Sequence, residues 1–185
     1  MISEVRLRQC IDCLRAGGII AYPTEGVWGL GCDPDNVDAV ERLLHIKRRS
    51  WTKGLILVAA DREQIHSWHG DLDQEHFSRL SRLWPGPCTV VLPASARVPR
   101  WVRGQHETQA FRVSAHPVVV ALSETWGGPL VSTSANHSGQ PAARTLQEVR
   151  IHLGRDVDAY LPGQLGSLKG ATPILDLTTG RQIRI

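Results

Sequence analysis

Four cationic side chains crowd one short stretch of this sequence. HIKRRSWTKG, residues 45–54, holds Lys47, Arg48, Arg49 and Lys53. A Lys, an Arg two residues on and a Lys six residues on suit a polyphosphate. The Arg offers a planar fork, and each Lys offers a mobile point charge. The same residues also suit a plain helix end, where Lys47 answers the helix dipole in solvent. A second stretch, VSTSANHSG (131–139), follows an apolar run. Alternate residues of an extended chain share a side, so Ser132, Ser134 and Asn136 form a row of hydrogen-bonding groups. An Asn- and Ser-rich turn has the same composition.

A third stretch, AFRVSAHP (110–117), sets Arg112 among apolar neighbours. A buried guanidinium needs a carboxylate, either from the protein or from a ligand. The fourth, YPTEGVWGLG (22–31), runs from a strand into a loop carrying Thr24, Gly26, Gly29 and Gly31. These glycines either admit a ligand close to the backbone or simply mark turns. The loop is neither a Walker A motif nor G-x-G-x-x-G. Ser134 with His137 raises a serine-hydrolase reading, without the G-x-S-x-G elbow.

Alternating helices and strands must position these groups. Ser3 caps a helix through Leu14 that Gly17-Gly18 stops. Residues 19–22 read as a buried strand. Asp35 or Asn36 caps a helix that delivers Lys47 near its end. A strand follows at 55–60, then a helix at 73–84 that Pro85-Gly86-Pro87 breaks. Residues 88–94 and 109–114 are strands. Pro117 opens a helix to Trp126. Leu130–Thr133 is a strand, and Thr145 with Glu148 caps a helix to 153. Short strands near 157–161, 173–177 and 181–185 finish the chain. This order predicts a single α/β domain over 1–185 with a mixed sheet and flanking helices. In such folds ligands sit where strands give way to loops at one sheet edge.

Composition is that of a globular chain: 185 residues, 42% hydrophobic, 21% charged, net charge +3. That charge allows contact with nucleotides or RNA without requiring it. No secretory pattern or membrane span is read, so the expected compartment is the cytoplasm. Cys10 and Cys13 form a C-x-x-C with no second pair, and the expectation is a packed helix face rather than zinc. His66, His69 and His76 lack a metal-ligand spacing, and no protein metal site is expected.

Taken together, AYPTEGVWGLGCDP, KRR followed by Lys53-Gly54-Leu55, RLWPGPCTVVLPA, FRVSAHP and PLVSTSANHSGQPAARTLQEV closely resemble the YrdC domain family in its short, single-domain form. The resemblance runs from about Ile11 to Arg184. It implies a twisted open sheet around a concave, basic cleft. It also implies an enzyme that condenses L-threonine, bicarbonate or CO2, and ATP into threonylcarbamoyl-adenylate and pyrophosphate. Other proteins then transfer the threonylcarbamoyl group to the adenosine beside the anticodon of tRNA.

The resemblance implies Lys47 and Arg49 as catalytic residues. It assigns ATP to Lys47, Arg49, Lys53, Thr108, Ser134, Asn136 and Arg184, and threonine to Thr24, Arg112, Ser132 and Thr172. Mg2+ is expected to arrive with ATP. The chain departs from the family where Ser50-Trp51 replaces a usual Pro, where an apolar residue near Val58 replaces a His of some long forms, and at Ala171-Thr172-Pro173. A long-form extra domain is not expected beyond Ile185. The rival reading is a non-catalytic double-stranded RNA or tRNA binder with Trp28, Trp51, Trp68, Trp84 and Trp101 as stacking groups, but these lack an RNP-like pattern and core or rim packing is expected of them.

Overall fold

The computed structural model describes residues 2–184, so Ile185, assigned above to the last strand, lies outside the described residues. Helices start where their capping residues predict. Ser3 accepts from the Arg6 amide at the head of α1 (Glu4–Arg15), and Asn36 from Ala39 at the head of α2 (Val37–Lys47). Thr145 accepts from Glu148 at the head of α6 (Leu146–Leu153). These caps satisfy amides that have no partner inside the helix. Pro117 is the first residue of α5 (Pro117–Trp126), where its fixed φ and missing N–H cost nothing. The apolar face of α3 (Gln74–Leu83) packs Leu80 inward.

Nine strands form one mixed sheet in the order β7-β1-β2-β6-β3-β5-β4-β8-β9. They are β1 (Ile20–Pro23), β2 (Trp28–Cys32), β3 (Ile56–Ala59), β4 (Thr89–Pro93), β5 (Thr108–Val113), β6 (Leu130–Ser134), β7 (Ala159–Tyr160), β8 (Ile174–Asp176) and β9 (Gln182–Arg184). The central pairs β2–β6 and β6–β3 are antiparallel, and β3–β5 is parallel.

Period-2 alternation divides the sheet between two cores. Leu30, Leu57, Ala59, Val90, Leu92, Phe111, Val113 and Val131 face the larger core, with Val40 and Leu43 of α2 and Leu80 of α3. Ile20, Tyr22, Val58 and Leu130 face the smaller one, under α1 and α5. Those two helices cover only part of their face. Following the register outward, Gly29, Ser134, Ser132, Ile56, Ala110, Thr108 and Val91 continue the same face. All of them line an open hollow instead of a helix.

Three expectations are corrected. YPTEGVWGLG is not one loop, because its second half is β2, antiparallel to β1. The hollow lies on a sheet face, not at the sheet edge where strands give way to loops. The strand near 157–161 shrinks to two residues, and short helical turns at Trp51–Lys53, Glu63–Trp68 and α4 (Arg100–Arg103) had no readable pattern.

Candidate active site

The hollow has a volume of about 540 Å3. Thr24, Lys47, Arg49, Lys53, Thr108, Arg112, Ser132, Ser134, Asn136, Thr172 and Arg184 all line it. The sequence stretches that carry them lie far apart in the chain, and the sheet brings them to one place.

Lys47 reaches it from the last turn of α2. The helix ends at Arg48, which takes left-handed backbone at φ 49°. That reversal lets Lys47 and Arg49 both line the hollow while Arg48 does not. The α2 end is tied down from the far side of the cleft. Ser138 N donates to Lys47 O at 2.8 Å, and His137 Nδ1 lies 2.7 Å from Ile46 O. With a carbonyl as partner, that nitrogen carries the proton.

Lys47 is 3% exposed. Its Nζ donates to Ser134 O and, at 2.6 Å, to Asn136 Oδ1. Ser134 Oγ donates to the same Oδ1 at 2.7 Å. All these acceptors are neutral. Burial therefore dominates, and with the Arg49 charge nearby it pulls the Lys47 pKa down to about 7. The serine-hydrolase reading fails here: Ser134 is engaged with Asn136, and His137 is spent on the helix end.

Arg49 donates to Gly54 O at 2.9 Å, and burial lowers its pKa. The segment without the usual Pro is closed by other means. Ser50 accepts from Thr52 N, and Gly54 N donates to Trp51 O. Arg184 donates through Nε to Thr172 O at 3.0 Å. Burial, then the charges of Arg112 and Arg49, lower its pKa, so these cations share one field.

The other end is built around Arg112, whose Nη1 donates to Thr172 Oγ1 at 3.1 Å. The sequence left open whether its carboxylate partner is protein or ligand. The structure supplies a protein one, Glu25 Oε2 at 3.6 Å from Nη2, yet Arg112 still lines the hollow. Glu25 was missed by sequence reasoning, although it sits in the quoted Pro-Thr-Glu. Tyr22 OH donates to Ser132 Oγ at 3.0 Å, and its pKa is pushed up to about 12 by burial. Val58, the apolar residue at the His position of some long forms, packs into the smaller core.

The Trp residues offered as stacking groups are mostly interior. Trp28, Trp68 and Trp84 are buried, and Trp101 donates its indole N–H to Pro34 O. Trp51 alone of the five is exposed. Cys10 packs in the smaller core with Cys13 against it, and burial raises their pKa values to about 12 and about 11, so neither is a ready thiolate.

A geometry of this kind invites comparison with known proteins. The Sua5/YciO/YrdC family model, described as telomere recombination, matches residues 12–185. A threonylcarbamoyl-AMP synthase of Halorhodospira halophila is 51% identical over 97% of this chain and 94% of its own. One from Coxiella burnetii is 45% identical over 97% and 96%. Among solved structures, P. abyssi Sua5 complexed with L-threonine superposes with a TM-score of 0.90 at 32% identity, covering 96% of this chain. This chain spans about half of that one, 52%. E. coli YciO superposes with a TM-score of 0.86 at 27% identity over 99% of this chain and 89% of its own.

Proposed function

We infer that this chain, which belongs to the Sua5/YciO/YrdC family, makes threonylcarbamoyl-adenylate and pyrophosphate from L-threonine, bicarbonate or CO2, and ATP. Such an enzyme is a nucleotidyltransferase of tRNA modification, and the relatives compared above are named threonylcarbamoyl-AMP synthase. One observation carries the assignment of roles: a buried Lys47 with only neutral acceptors, in the same hollow as an Arg112 paired with Glu25.

In this reading the two ends take different reactants. Lys47, Arg49 and Lys53 hold the triphosphate, with Ser134, Asn136, Thr108 and Arg184 completing the nucleotide contacts. Arg112 forks onto the threonine carboxylate, beside the hydroxyls of Thr24, Ser132 and Thr172. The threonine amine, once deprotonated, adds to CO2 to give a carbamate. A carbamate oxygen then attacks the α-phosphorus, and the bond to the pyrophosphate oxygen breaks. The carbamate is short-lived in water, so holding both reactants side by side supplies much of the rate. Fixed cations offset the charge that builds on the leaving group.

No group of three or more His, Cys, Asp or Glu able to hold a metal occurs among the described residues. The cleft residues fit Mg2+ riding on phosphate oxygens: they are cations, hydroxyls and amides that would meet a metal–phosphate complex from outside. Bound there, Mg2+ supplies further neutralisation of the phosphates.

We place the protein in the cytoplasm; no helix among the described residues is long and apolar enough to cross a membrane. Transfer onto tRNA falls to downstream proteins. The test is an ATP–pyrophosphate balance with each substrate omitted in turn. Pyrophosphate should appear only when threonine and bicarbonate are both present. Salt-sensitive RNA binding without turnover would favour the RNA-binding module instead.

A further inference from the structure

The cleft must hold a polyanion and a zwitterion side by side. The phosphate end is cationic by design, but an equally bare Arg112 would attract phosphate to the wrong end. Glu25 stands where it can prevent this. It is 8% exposed and does not line the hollow, so it backs Arg112 from within the protein. Ser114 Oγ donates to its Oε1 at 2.6 Å, and that hydroxyl in turn accepts from His116 N at 3.0 Å. The backbone is pinned as well. Leu168 N donates to Glu25 O at 2.9 Å, and Gly166 N to Thr24 O at 3.0 Å. Ser114 holds the carboxylate, and the backbone bonds fix the segment that carries it.

The pairing itself is unusual. Glu25 Oε2 stays 3.6 Å from Arg112 Nη2, within reach of charge but beyond a good hydrogen bond. Oε2 accepts no hydrogen bond, and Arg112 Nε donates none. A buried pair that served only to brace the fold would close up and satisfy both groups. Here the two charges face each other while Arg112 Nε and Glu25 Oε2 stay without hydrogen bonds.

We propose that Glu25 is a specificity-determining residue: its carboxylate cancels the Arg112 charge, so that the amino-acid end of the cleft admits a zwitterion and rejects phosphate. The proposal rests on the synthase reading above. A neutral amino acid brings a carboxylate to the guanidinium with no net charge. Inorganic phosphate brings one to two negative charges and meets Glu25 behind the guanidinium.

The experiment uses the full chain and follows labelled threonine into the adenylate, with inorganic phosphate as the probe. Two quantities are measured: the threonine KM, and the phosphate inhibition constant competitive with threonine. Their ratio, Ki over KM, reads discrimination and is insensitive to a general loss of activity. Glu25→Gln should lower that ratio about tenfold, the scale of one partly screened charge. Glu25→Asp, which keeps the charge, should stay within about threefold of wild type on that scale. Ser114→Ala, which frees the carboxylate to move, should lower the ratio about threefold and covers the case in which Glu25→Gln does not fold.

An unchanged ratio in Glu25→Gln, with wild-type turnover intact, overturns this proposal alone. So does a fall in kcat and melting temperature with no change in ratio, since that is the mark of a bracing role. No threonine-dependent turnover in the wild-type protein overturns the synthase reading, and this proposal with it.

Discussion

Two basic hollows of similar size lie on this molecule. The cleft holds about 540 Å3, and a groove between α1 and β7 about 610 Å3. The groove has its own arginines, Arg6, Arg42 and Arg150. Arg42 grips Asp158 through two bonds of 2.6 and 3.0 Å, and that bonding raises its pKa. Lys47, only five residues further along α2, meets carbonyl, amide and hydroxyl oxygens, and its pKa falls. The number of cations and the size of the hollow do not separate the two places. What separates Arg42 from Lys47 is whether the protein has already given the cation a carboxylate. Arg42 has a carboxylate partner, whereas Lys47 is buried without one; in the proposed reading that cost in stability keeps a cation for phosphate.

The comparison breaks if the wrong cation proves essential. Lys47→Ala should cut pyrophosphate release about 100-fold or more, the scale of a lost transition-state electrostatic contact. Unchanged circular dichroism would show that the loss is not one of fold, and near-normal release would remove Lys47 from the site. Next in size, Arg112→Lys should raise the threonine requirement about tenfold with a smaller change for ATP, because a point charge replaces a fork. Equal loss for both substrates would return Arg112 to a bracing role.

Stability sharpens the contrast in the opposite direction. Lys47→Met should abolish turnover yet stabilise the fold by on the order of 2 kcal/mol, or about 5 °C in melting temperature. The sign follows from the proton balance. The unfolded chain keeps the Lys47 proton up to its ordinary value of 10.5, whereas the folded protein releases it at about 7. Between those values wild-type stability rises with pH, so the advantage of Met should be fullest below pH 7 and shrink towards pH 10.5. A variant that melts lower than wild type at pH 6 would contradict it. The smallest effect belongs to the groove. Asp158→Asn should leave turnover within about twofold and lower stability by no more than about 1 kcal/mol, since the Arg42 pair is substantially exposed. Loss of turnover there would erase the distinction between the hollows.

Much of this was legible in the sequence, and the gaps have physical reasons. Caps at Ser3, Asn36 and Thr145 and the proline at 117 act locally, so they read directly. The KxR and SxN stretches read as candidates because charge and alternation are local properties too. β2 did not read as a strand because WGLGC has two glycines, residues that strands disfavour. Their cause is tertiary. A side chain at Gly31 would come within 2.9 Å of the Tyr22 ring, and one at Gly29 within 3.2 Å of Thr24. These glycines let Tyr22 lie across the strand and reach Ser132. Glu25 was invisible for the same reason: nothing near it in the chain announces Arg112 or Ser114, which lie some ninety residues away. The position of the hollow also escaped, because only the packing shows that α1 and α5 leave part of a sheet face bare.

That bare face has a consequence for how the protein can vary. Along β5, Arg112 stands between interior Phe111 and Val113, and along β6 Ser132 stands next to interior Val131. Gaining or losing one residue in β5 or β6 would exchange floor for interior along the whole strand. Length change is therefore barred from the middle of the cleft floor and is confined to the connecting segments at its rim. Lineages of this protein can retune the floor only by exchanging one side chain for another in place.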